Sequence, residues 1–373
     1  MTATGRSGVV ERHGGRGTRT AGSGDADGGA HTVRRAYVGS FTSAGGLGVT
    51  AARLDPRTGA LTPTGSTAEV ADPSFLALGP GGAVLYAVSE TDEGAVAAFD
   101  TTGPAPRLLG APRPVGGSGP THLAHTAGHL VTAHYGSGGV SALPVGADGT
   151  PGPVTGLVRH RGSGPDPERQ SAPHAHQVVP APDGSLLTVD LGTDSVRVCA
   201  LDPATGGLTV RGETALRPGS GPRHLAFHPS GAYVYVLSEL APTLTVCRWE
   251  ARTGALVPLG DVRLRPPRAP GVGYPSALAV SPDGRFVWAA VRGDDTLAVL
   301  ELDGDGERAR PVAAVPTGGH WPRDLTYDPR GRRLYVAHER SGDVTWFDVD
   351  PRTGVPSRAG AAPAPAASCV VLA

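Results

Sequence analysis

The chain has 373 residues, of which 56 are glycine and 36 are proline, and its formal net charge at pH 7 is −1. A hydrophobic fraction of 39% with balanced charge argues against an intrinsically disordered chain, and this charge gives no field that would attract nucleic acid or an anionic membrane. The absence of lysine from the sequence excludes Schiff-base chemistry and the lysine of a phosphate-binding loop.

The first 35 residues consist mainly of Gly, Arg, Thr, Ser, Asp and Ala. Such a segment cannot bury enough apolar surface to offset the entropy that is lost on ordering. We therefore predict a disordered N-terminal extension over residues 1–35 and a folded domain over residues 36–373.

From residue 36 onward, one unit recurs that contains a proline, a short apolar strand, a Pro-x-Gly type of turn and a second apolar strand. Its apolar runs are short and rich in β-branched and aromatic residues, which indicates strands and not helices. Six copies start 47 to 53 residues apart, close to the roughly 40–50-residue period of propeller blades. They begin at Pro73, Pro120, Pro173, Pro222, Pro275 and Pro322.

Three Asp-Pro-x-Thr-Gly segments, at residues 55–59, 202–206 and 350–354, follow a third strand. Proline fixes φ at the first corner and glycine supplies a positive φ at the last, which predicts hairpin turns toward an outer fourth strand. The parts of a seventh unit lie at the two chain ends, because residues 368–372 resemble a first strand and residues 36–39 a second. We predict an all-β fold, a seven-bladed β-propeller closed by strands from both termini.

Two rings of side chains are predicted at one end of the central channel. Five of the six units have a turn proline; six residues before it stand Ser74, His176, Arg223, Ser276 and Arg323, and ten residues after it stand Glu90, Gly192, Glu239, Arg292 and Glu339. Because the two strands form an antiparallel hairpin, both sets lie at the same end of the sheet. Enclosed charges are costly unless they are paired or functional, so these residues are either site residues or structural ion pairs between blades.

His174 and His176 have the spacing of two zinc ligands, but no third ligand follows from the spacing. Cys199, Cys247 and Cys369 are far apart in apolar runs and predict neither a disulfide framework nor a cysteine metal site. We therefore predict no metal and no cofactor. The four tryptophans fall in or beside strands, where we expect them to pack between blades.

The runs PHAHQV at Pro173, DLGTDSV at Asp190, GPRHLAFHPSG at Gly221 and SELAPTLTV at Ser238 resemble the seven-bladed 6-phosphogluconolactonase family of bacteria. The likeness extends from about residue 36 to the C-terminus. Members of this family are similar to the fungal carboxy-muconate cyclase, which opens or closes a lactone without a metal. The resemblance implies a site of one His, two Arg and one Glu, at His176, Arg223, Glu239 and Arg292.

The resemblance implies metal-independent hydrolysis of a sugar-acid lactone, with 6-phosphoglucono-δ-lactone as the expected substrate. Either His176 or Glu239 accepts a proton from the attacking water, and Arg223 and Arg292 stabilise the oxyanion. The predicted substrate-binding residues are Arg323, His174, His224 and Asp190. A channel histidine such as His224 can equally be a hydrogen-bonded structural residue.

Two other functions stay open. Three arginines suit a doubly anionic substrate, which allows a lactonising cycloisomerase of the muconate type. The propeller could also be a non-catalytic binding platform, since one fold hosts unrelated functions. No window approaches the roughly 18 apolar residues of a membrane span, and no signal-peptide stretch is present. We expect a cytoplasmic monomer that binds a small-molecule lactone or sugar acid.

Overall fold

The structure is a computed structural model that describes residues 35–266, 268 and 270–373. The predicted N-terminal extension lies outside these residues, except for Arg35, which begins the first strand. Seven antiparallel sheets form from the described residues, with short 3₁₀ turns at Thr42–Ala44 and Pro80–Gly82. None of their helices is long and apolar enough to cross a membrane.

Each sheet is one blade, and the blades follow the chain from blade 1 to blade 7. From the channel outward, blade 1 contains β29 (Ala367–Leu372), β1 (Arg35–Ser40), β2 (Val49–Leu54) and β3 (Leu61–Thr67). Blade 2 contains β4 (Leu76–Leu78), β5 (Val84–Ser89), β6 (Ala95–Asp100), and both β7 (Arg107–Leu108) and β8 (Arg113–Pro114) paired to β6. Blade 3 contains β9 (Pro120–Thr126), β10 (His129–His134), β11 (Gly139–Pro144) and β12 (Gly156–Arg159).

The remaining four blades repeat the same order of four strands. Blade 4 contains β13 (Ala175–Pro180), β14 (Leu186–Asp190), β15 (Ser195–Leu201) and β16 (Leu208–Ala215). Blade 5 contains β17 (Pro222–Phe227), β18 (Tyr233–Ser238), β19 (Thr243–Glu250) and β20 (Ala255–Arg263). Blade 6 contains β21 (Tyr274–Val280), β22 (Phe286–Arg292), β23 (Thr296–Leu302) and β24 (Ala309–Pro316). Blade 7 contains β25 (Pro322–Tyr327), β26 (Arg333–His338), β27 (Asp343–Val349) and β28 (Pro356–Pro363).

The innermost strands contact one another in sequence and close a ring, in which β29 lies between β25 and β4. Strand β29 from the C-terminus pairs antiparallel with β1 from the N-terminus, with Val370 opposite Val38. The prediction of a seven-bladed β-propeller closed by strands from both termini is therefore confirmed. Because blade 1 is completed by both chain ends, its innermost edge is not left open.

Apolar and aromatic side chains of neighbouring blades form the core. Two of the buried aromatic side chains also donate hydrogen bonds to outer turns of the next blade. The indole of Trp288 donates to the carbonyl of Gly354 at 2.7 Å, and the Tyr335 hydroxyl donates to that of Gly59 at 3.1 Å. Both glycines end predicted Asp-Pro-x-Thr-Gly turns and have positive φ. A Cβ at Gly354 would also lie 2.4 Å from the Phe286 ring, so this turn requires glycine for its conformation and for its packing.

Candidate active site

A ring of bulged residues surrounds one end of the channel. The strand register skips near the start of the innermost strand in six blades, a β-bulge that redirects a side chain toward the channel. The residues at these skips include Thr121, His176, Arg223, Ser276, Arg323 and Ser368. With the exception of Ser276, they help to line a depression that we call the central pit, together with Ser74, Phe75, Glu90, His224 and Asp324.

The hydroxyl members of this ring bond from blade to blade. Thr121 donates to the backbone carbonyl of His176 at 3.0 Å, and Ser276 donates to that of Pro322 at 2.7 Å. These residues therefore serve the closure of the ring. The charged and imidazole members are the ones left for chemistry.

Glu239 lies at the end of β18 beside the pit and contacts three arginines. Its Oε1 is 2.7 Å from Arg169 Nη2, and its Oε2 is 3.1 Å from Arg223 Nε and 2.7 Å from Arg292 Nη2. Burial alone would raise the pKa of Glu239, but the charges of Arg292 and Arg223 and the bond from Arg169 lower that pKa to about 2. Glu239 is therefore a permanently ionised carboxylate with both oxygens engaged.

Two of these arginines are buried and contact the same carboxylate oxygen. Arg223 Nε and Arg292 Nη2 lie 3.1 and 2.7 Å from Glu239 Oε2, and both nitrogens are buried. Burial and the neighbouring Arg292 lower the pKa of Arg223 to about 9, so its side chain remains cationic at pH 7. With Arg169, three positive charges face one negative charge, and the surplus makes this cluster an anion site.

His176 is a neutral imidazole at the centre of this arrangement. Burial, and then the charges of Arg223 and Arg323, hold the pKa of His176 well below its usual range. Its Nδ1 has no hydrogen-bond partner among the described residues. The ring lies edge-on to His224 at 5.3 Å and to Tyr135 at 5.6 Å between centroids. A neutral imidazole with a free nitrogen can accept a proton from water.

Arg323 belongs to a second cluster whose charge is already compensated. Its Nη1 lies 3.0 Å from Glu339 Oε2, its Nη2 lies 3.7 Å from Glu90 Oε1, and its guanidinium covers the ring of Phe41 at 4.7 Å. Glu90 also accepts a hydrogen bond from Ser74, and burial raises its pKa. Arg323 and Glu339 therefore form a structural ion pair, one of the two roles that the sequence left open. The Glu239 cluster differs because it carries surplus positive charge.

A family model described as "Lactonase, 7-bladed beta-propeller" matches residues 35–372 of the chain. The chain belongs to this family. Members share the whole propeller with it, so the family covers the pit and the Glu239 cluster together.

Named relatives agree with this assignment. The 6-phosphogluconolactonase of Bacillus subtilis is 32% identical over 323 residues, covering 85% of this chain and 92% of that protein. The structure of a putative 6-phosphogluconolactonase from Bacteroides fragilis matches with a TM-score of 0.86 at 30% identity, over 92% of this chain and 98% of that one. The periplasmic gluconolactonase of Pseudomonas aeruginosa matches with a TM-score of 0.84 at 28% identity, over 91% and 99% of the two chains.

In this member of the family, the structure brings most of the residues predicted from the sequence together. His176, Arg223, His224 and Arg323 line the pit, and the Glu239–Arg292 pair is joined to it through Arg223. The HxH pair splits, because the half-buried ring of His174 stacks on Tyr135 and its Nδ1 is 2.7 Å from that residue's carbonyl oxygen. No group of three or more His, Cys, Asp or Glu side chains in the described part of the chain is arranged to hold a metal ion.

Asp190 lies away from the pit, fully buried at the end of β14. One carboxylate oxygen is 2.6 Å from His160 Nδ1 and 3.2 Å from Arg197 Nη1, and the other accepts the backbone N–H of His174 at 2.9 Å. Burial would raise the pKa of Asp190, but the hydrogen bonds with His160 and with the backbone of His174, together with the charge of Arg197, lower it. Asp190 therefore orders the backbone before β13, and its predicted contact with substrate stays a prediction.

Two predictions about individual positions were wrong. The hairpin of blade 4 is shorter in register, so the residue equivalent to Glu239 of blade 5 is Leu191 and not Gly192. Trp249, Trp288 and Trp346 are buried as expected, but Trp321 is only half-buried. Its ring lies under Arg340 at 3.5 Å and 5.5 Å from Arg292, which places it beside the site.

Sequence reasoning missed two residues of the site. Asp324 lines the pit with its Oδ2 accepting the backbone N–H of Val370 at 3.0 Å, and burial raises its pKa. It follows Arg323 directly, so its place in the repeat was a usable signal. Arg169 had no such signal, because it lies in the connection between β12 and β13 and outside the repeated unit.

A separate cavity of about 620 Å³ lies at the other ends of the innermost strands, among residues such as Phe227, Leu278 and Tyr327. These side chains are mostly apolar and offer no cluster of donors. We therefore assign the chemistry to the pit and the Glu239 cluster.

Proposed function

We propose that this protein hydrolyses a sugar-acid lactone, with 6-phosphoglucono-δ-lactone as substrate and 6-phosphogluconate as product. The observation that carries the proposal is the pair of buried guanidinium groups of Arg223 and Arg292 beside the neutral imidazole of His176. Oriented donors next to a proton acceptor are what ester hydrolysis requires. The names of the Bacillus subtilis and Bacteroides fragilis relatives support the phosphorylated substrate.

In the proposed reaction, His176 accepts a proton from a water molecule as the water oxygen bonds to the lactone carbonyl carbon. The carbonyl oxygen becomes an oxyanion, which is stabilised by the guanidinium groups of Arg223 and Arg292. When the tetrahedral intermediate collapses, the bond from the carbonyl carbon to the ring oxygen breaks. The ring oxygen takes the proton from His176 and leaves as the hydroxyl of the open acid.

Glu239 is not the base in this mechanism. Both of its oxygens contact arginines, so neither oxygen is available to accept a proton from water. It holds the guanidinium groups in place instead. Because the guanidinium groups supply the positive charge that the oxyanion needs, we propose that hydrolysis proceeds without a metal ion or cofactor. We also propose that the protein acts as a monomer in the cytoplasm.

A lactonising cycloisomerase is the second candidate, because the surplus charge of the Glu239 cluster also suits a dicarboxylate. The two reactions differ in direction and substrate. NMR can follow the protein incubated with phosphorylated sugar lactones and, separately, with unsaturated dicarboxylic acids, each corrected for spontaneous reaction. A hydrolase opens the ring of the lactones, and a cycloisomerase closes a ring in the dicarboxylic acids.

The variant that tests the proposal is Arg292→Met, which preserves side-chain length and removes both charge and donors. We expect kcat for 6-phosphoglucono-δ-lactone to fall by about 10²–10³, the usual loss on removing an oxyanion donor. The matched control is Arg310→Met in the same blade, whose exposed side chain pairs with Glu301. Wild-type turnover by a folded Arg292→Met protein would refute the assignment.

A further inference from the structure

The segment of residues 160–174 connects β12 to β13 and lies outside the repeated unit. It is anchored by Gln170, which is fully buried and donates from Nε2 to the carbonyl of Leu191 and to Asp194 Oδ1, both at 2.8 Å. A Cβ at Gly164 would lie 2.5 Å from the Gln170 side chain, so the segment folds closely around this anchor. The residue before the anchor, Arg169, therefore has a fixed backbone position.

The side chain of Arg169 reaches across blade 4. Its Nη2 donates to Glu239 Oε1 of blade 5 at 2.7 Å and to the hydroxyl of Tyr135 in blade 3 at 3.2 Å. The side chain of Arg169 is 36% exposed, whereas those of Arg223 and Arg292 are 4% and 7% exposed. Of the three arginines on Glu239, Arg169 is the one that an anion arriving from solvent meets first.

Arg169 can leave Glu239 without stranding that carboxylate. Glu239 keeps Arg223 and Arg292 at 3.1 and 2.7 Å, so its carboxylate remains paired when Arg169 moves away. A phosphate monoester carries close to two negative charges at pH 7 and several acceptor oxygens. A guanidinium group binds such oxygens through paired hydrogen bonds, so a phosphate is a better partner for Arg169 than a carboxylate that is already neutralised.

We propose that Arg169 binds the phosphate group of the substrate and thereby makes this protein selective for phosphorylated over unphosphorylated sugar lactones. The inference rests on the proposed lactone hydrolysis and specifies its substrate class. It also places the phosphate at Arg169 and not at Arg323, which the sequence predicted as a substrate-binding residue. The charge of Arg323 is already compensated by Glu90 and Glu339, whereas the charge around Glu239 is in surplus.

The decisive variant is Arg169→Gln, assayed with 6-phosphoglucono-δ-lactone and with glucono-δ-lactone. We expect KM for the phosphorylated lactone to rise by about 10- to 100-fold, equivalent to the loss of one charge-assisted pair of bonds, with kcat changed by less than about threefold. KM for the unphosphorylated lactone should stay within about twofold of the wild type. Arg161→Gln removes a charge from an exposed position of the same segment and should leave both KM values unchanged.

A second variant tests how Arg169 is held. Tyr135→Phe removes the hydroxyl that accepts a hydrogen bond from Arg169 Nη2, and it preserves the stacking of the ring on His174. We expect a smaller rise in KM, confined to the phosphorylated lactone. Equal losses with both lactones in Arg169→Gln would mean that Arg169 acts only by ordering Glu239, and unchanged KM values would mean that it takes no part. Either result overturns the proposal while leaving lactone hydrolysis intact.

Calorimetric titration of 6-phosphogluconate and gluconate separates this inference from the proposed activity, because it needs no turnover. We expect the wild type to bind 6-phosphogluconate more tightly than gluconate, and Arg169→Gln to lose that preference. If the wild type opens neither lactone but shows this preference, lactone hydrolysis fails and the phosphate site stands. If the wild type shows no preference for the phosphorylated acid, the phosphate site fails.

Discussion

Glu239 and His176 are the two proton acceptors that the sequence leaves undecided, and their surroundings separate them. Three guanidinium groups hold Glu239 ionised with a pKa of about 2, whereas burial and Arg223 hold His176 neutral with a free Nδ1. Glu239 therefore organises charge and His176 moves the proton. Removing each group should have different consequences for the pH dependence of the reaction.

His176→Gln should lower kcat by about 10²–10⁴, the range for loss of a general base, and abolish the acid limb of kcat/KM. Glu239→Gln leaves buried guanidinium groups uncompensated and should lower the free energy of unfolding by about 3–5 kcal/mol. It should preserve the acid limb and move it to lower pH, because the loss of a negative charge disfavours a protonated His176 further. Both profiles come from initial rates on folded protein. An acid limb that vanishes in Glu239→Gln and survives in His176→Gln would assign the base to Glu239.

At single positions, the sequence predicts what the repeat dictates and little else. The bulge recurs at the same place in the units of blades 4, 5 and 7, so counting from the turn proline places His176, Arg223 and Arg323 around the pit correctly. Asp324 lies one position further along the same unit and could have been included. Arg169 could not have been found, because only the folding of a connection over blade 4 brings it to Glu239.

At the scale of strands and turns, the prediction holds wherever local chemistry decides the conformation. The Asp-Pro-x-Thr-Gly segments form the expected turns between third and fourth strands, and the two chain ends pair as β29 and β1. The prediction slipped where one hairpin changed length. The paired register of the β13–β14 hairpin is one residue shorter than that of the β17–β18 hairpin, which brings Leu191 to the position expected for Gly192.

Gly192 has a different role, which a substitution can test. A Cβ there would lie 1.9 Å from the carbonyl oxygen of Ala172 and 2.8 Å from the amide nitrogen of His174, both in the segment of residues 160–174. Gly192→Ala must displace this segment, and we expect the free energy of unfolding to fall by about 1–3 kcal/mol in urea titrations, the usual range for overpacking.

Gly212→Ala is the matched control for that titration. Gly212 lies in the outer strand β16, and an added Cβ there meets no atom within 4 Å. Because alanine restricts the unfolded chain more than glycine does, we expect this variant to be neutral or slightly more stable than the wild type. Equal stability of the Gly192→Ala and Gly212→Ala proteins would show that the segment is not packed against Gly192.

For the whole molecule, closing seven blades around one axis buries imidazoles from three of them at the centre. His224 of blade 5 packs edge to face with His122 of blade 3 and with His176 of blade 4, at 5.8 and 5.3 Å between ring centroids. Burial comes first and Arg223 second in lowering the pKa of all three. The propeller therefore keeps these side chains neutral at pH values where the unfolded chain protonates them.

Such groups make stability depend on pH with a definite sign. Below about pH 6.5 the unfolded chain binds protons that the native centre excludes, so each buried histidine should lower the free energy of unfolding by about 1.4 kcal/mol per pH unit. Burial raises the pKa values of Glu90 and Asp324, so above about pH 4.5 the native state binds their protons before the unfolded chain does. As the pH falls in this range, these two groups therefore raise the free energy of unfolding, whereas the histidines lower it. Three imidazoles outnumber two carboxyls, so stability should fall gently from pH 6.5 and more steeply below pH 4.5.

His122 isolates this effect from the chemistry of the site, because its pKa is lowered to about 3 and its ring packs on Phe75 at 4.0 Å. His122→Gln removes one excluded proton. The stability of the variant relative to the wild type should therefore improve by about 1.4 kcal/mol for each pH unit between pH 6 and 4, whatever the difference at pH 7.5. Urea denaturation of both proteins at several pH values measures this. A difference that is constant with pH would mean that His122 is protonated in the native state, and the centre of the propeller would then have to hold charge.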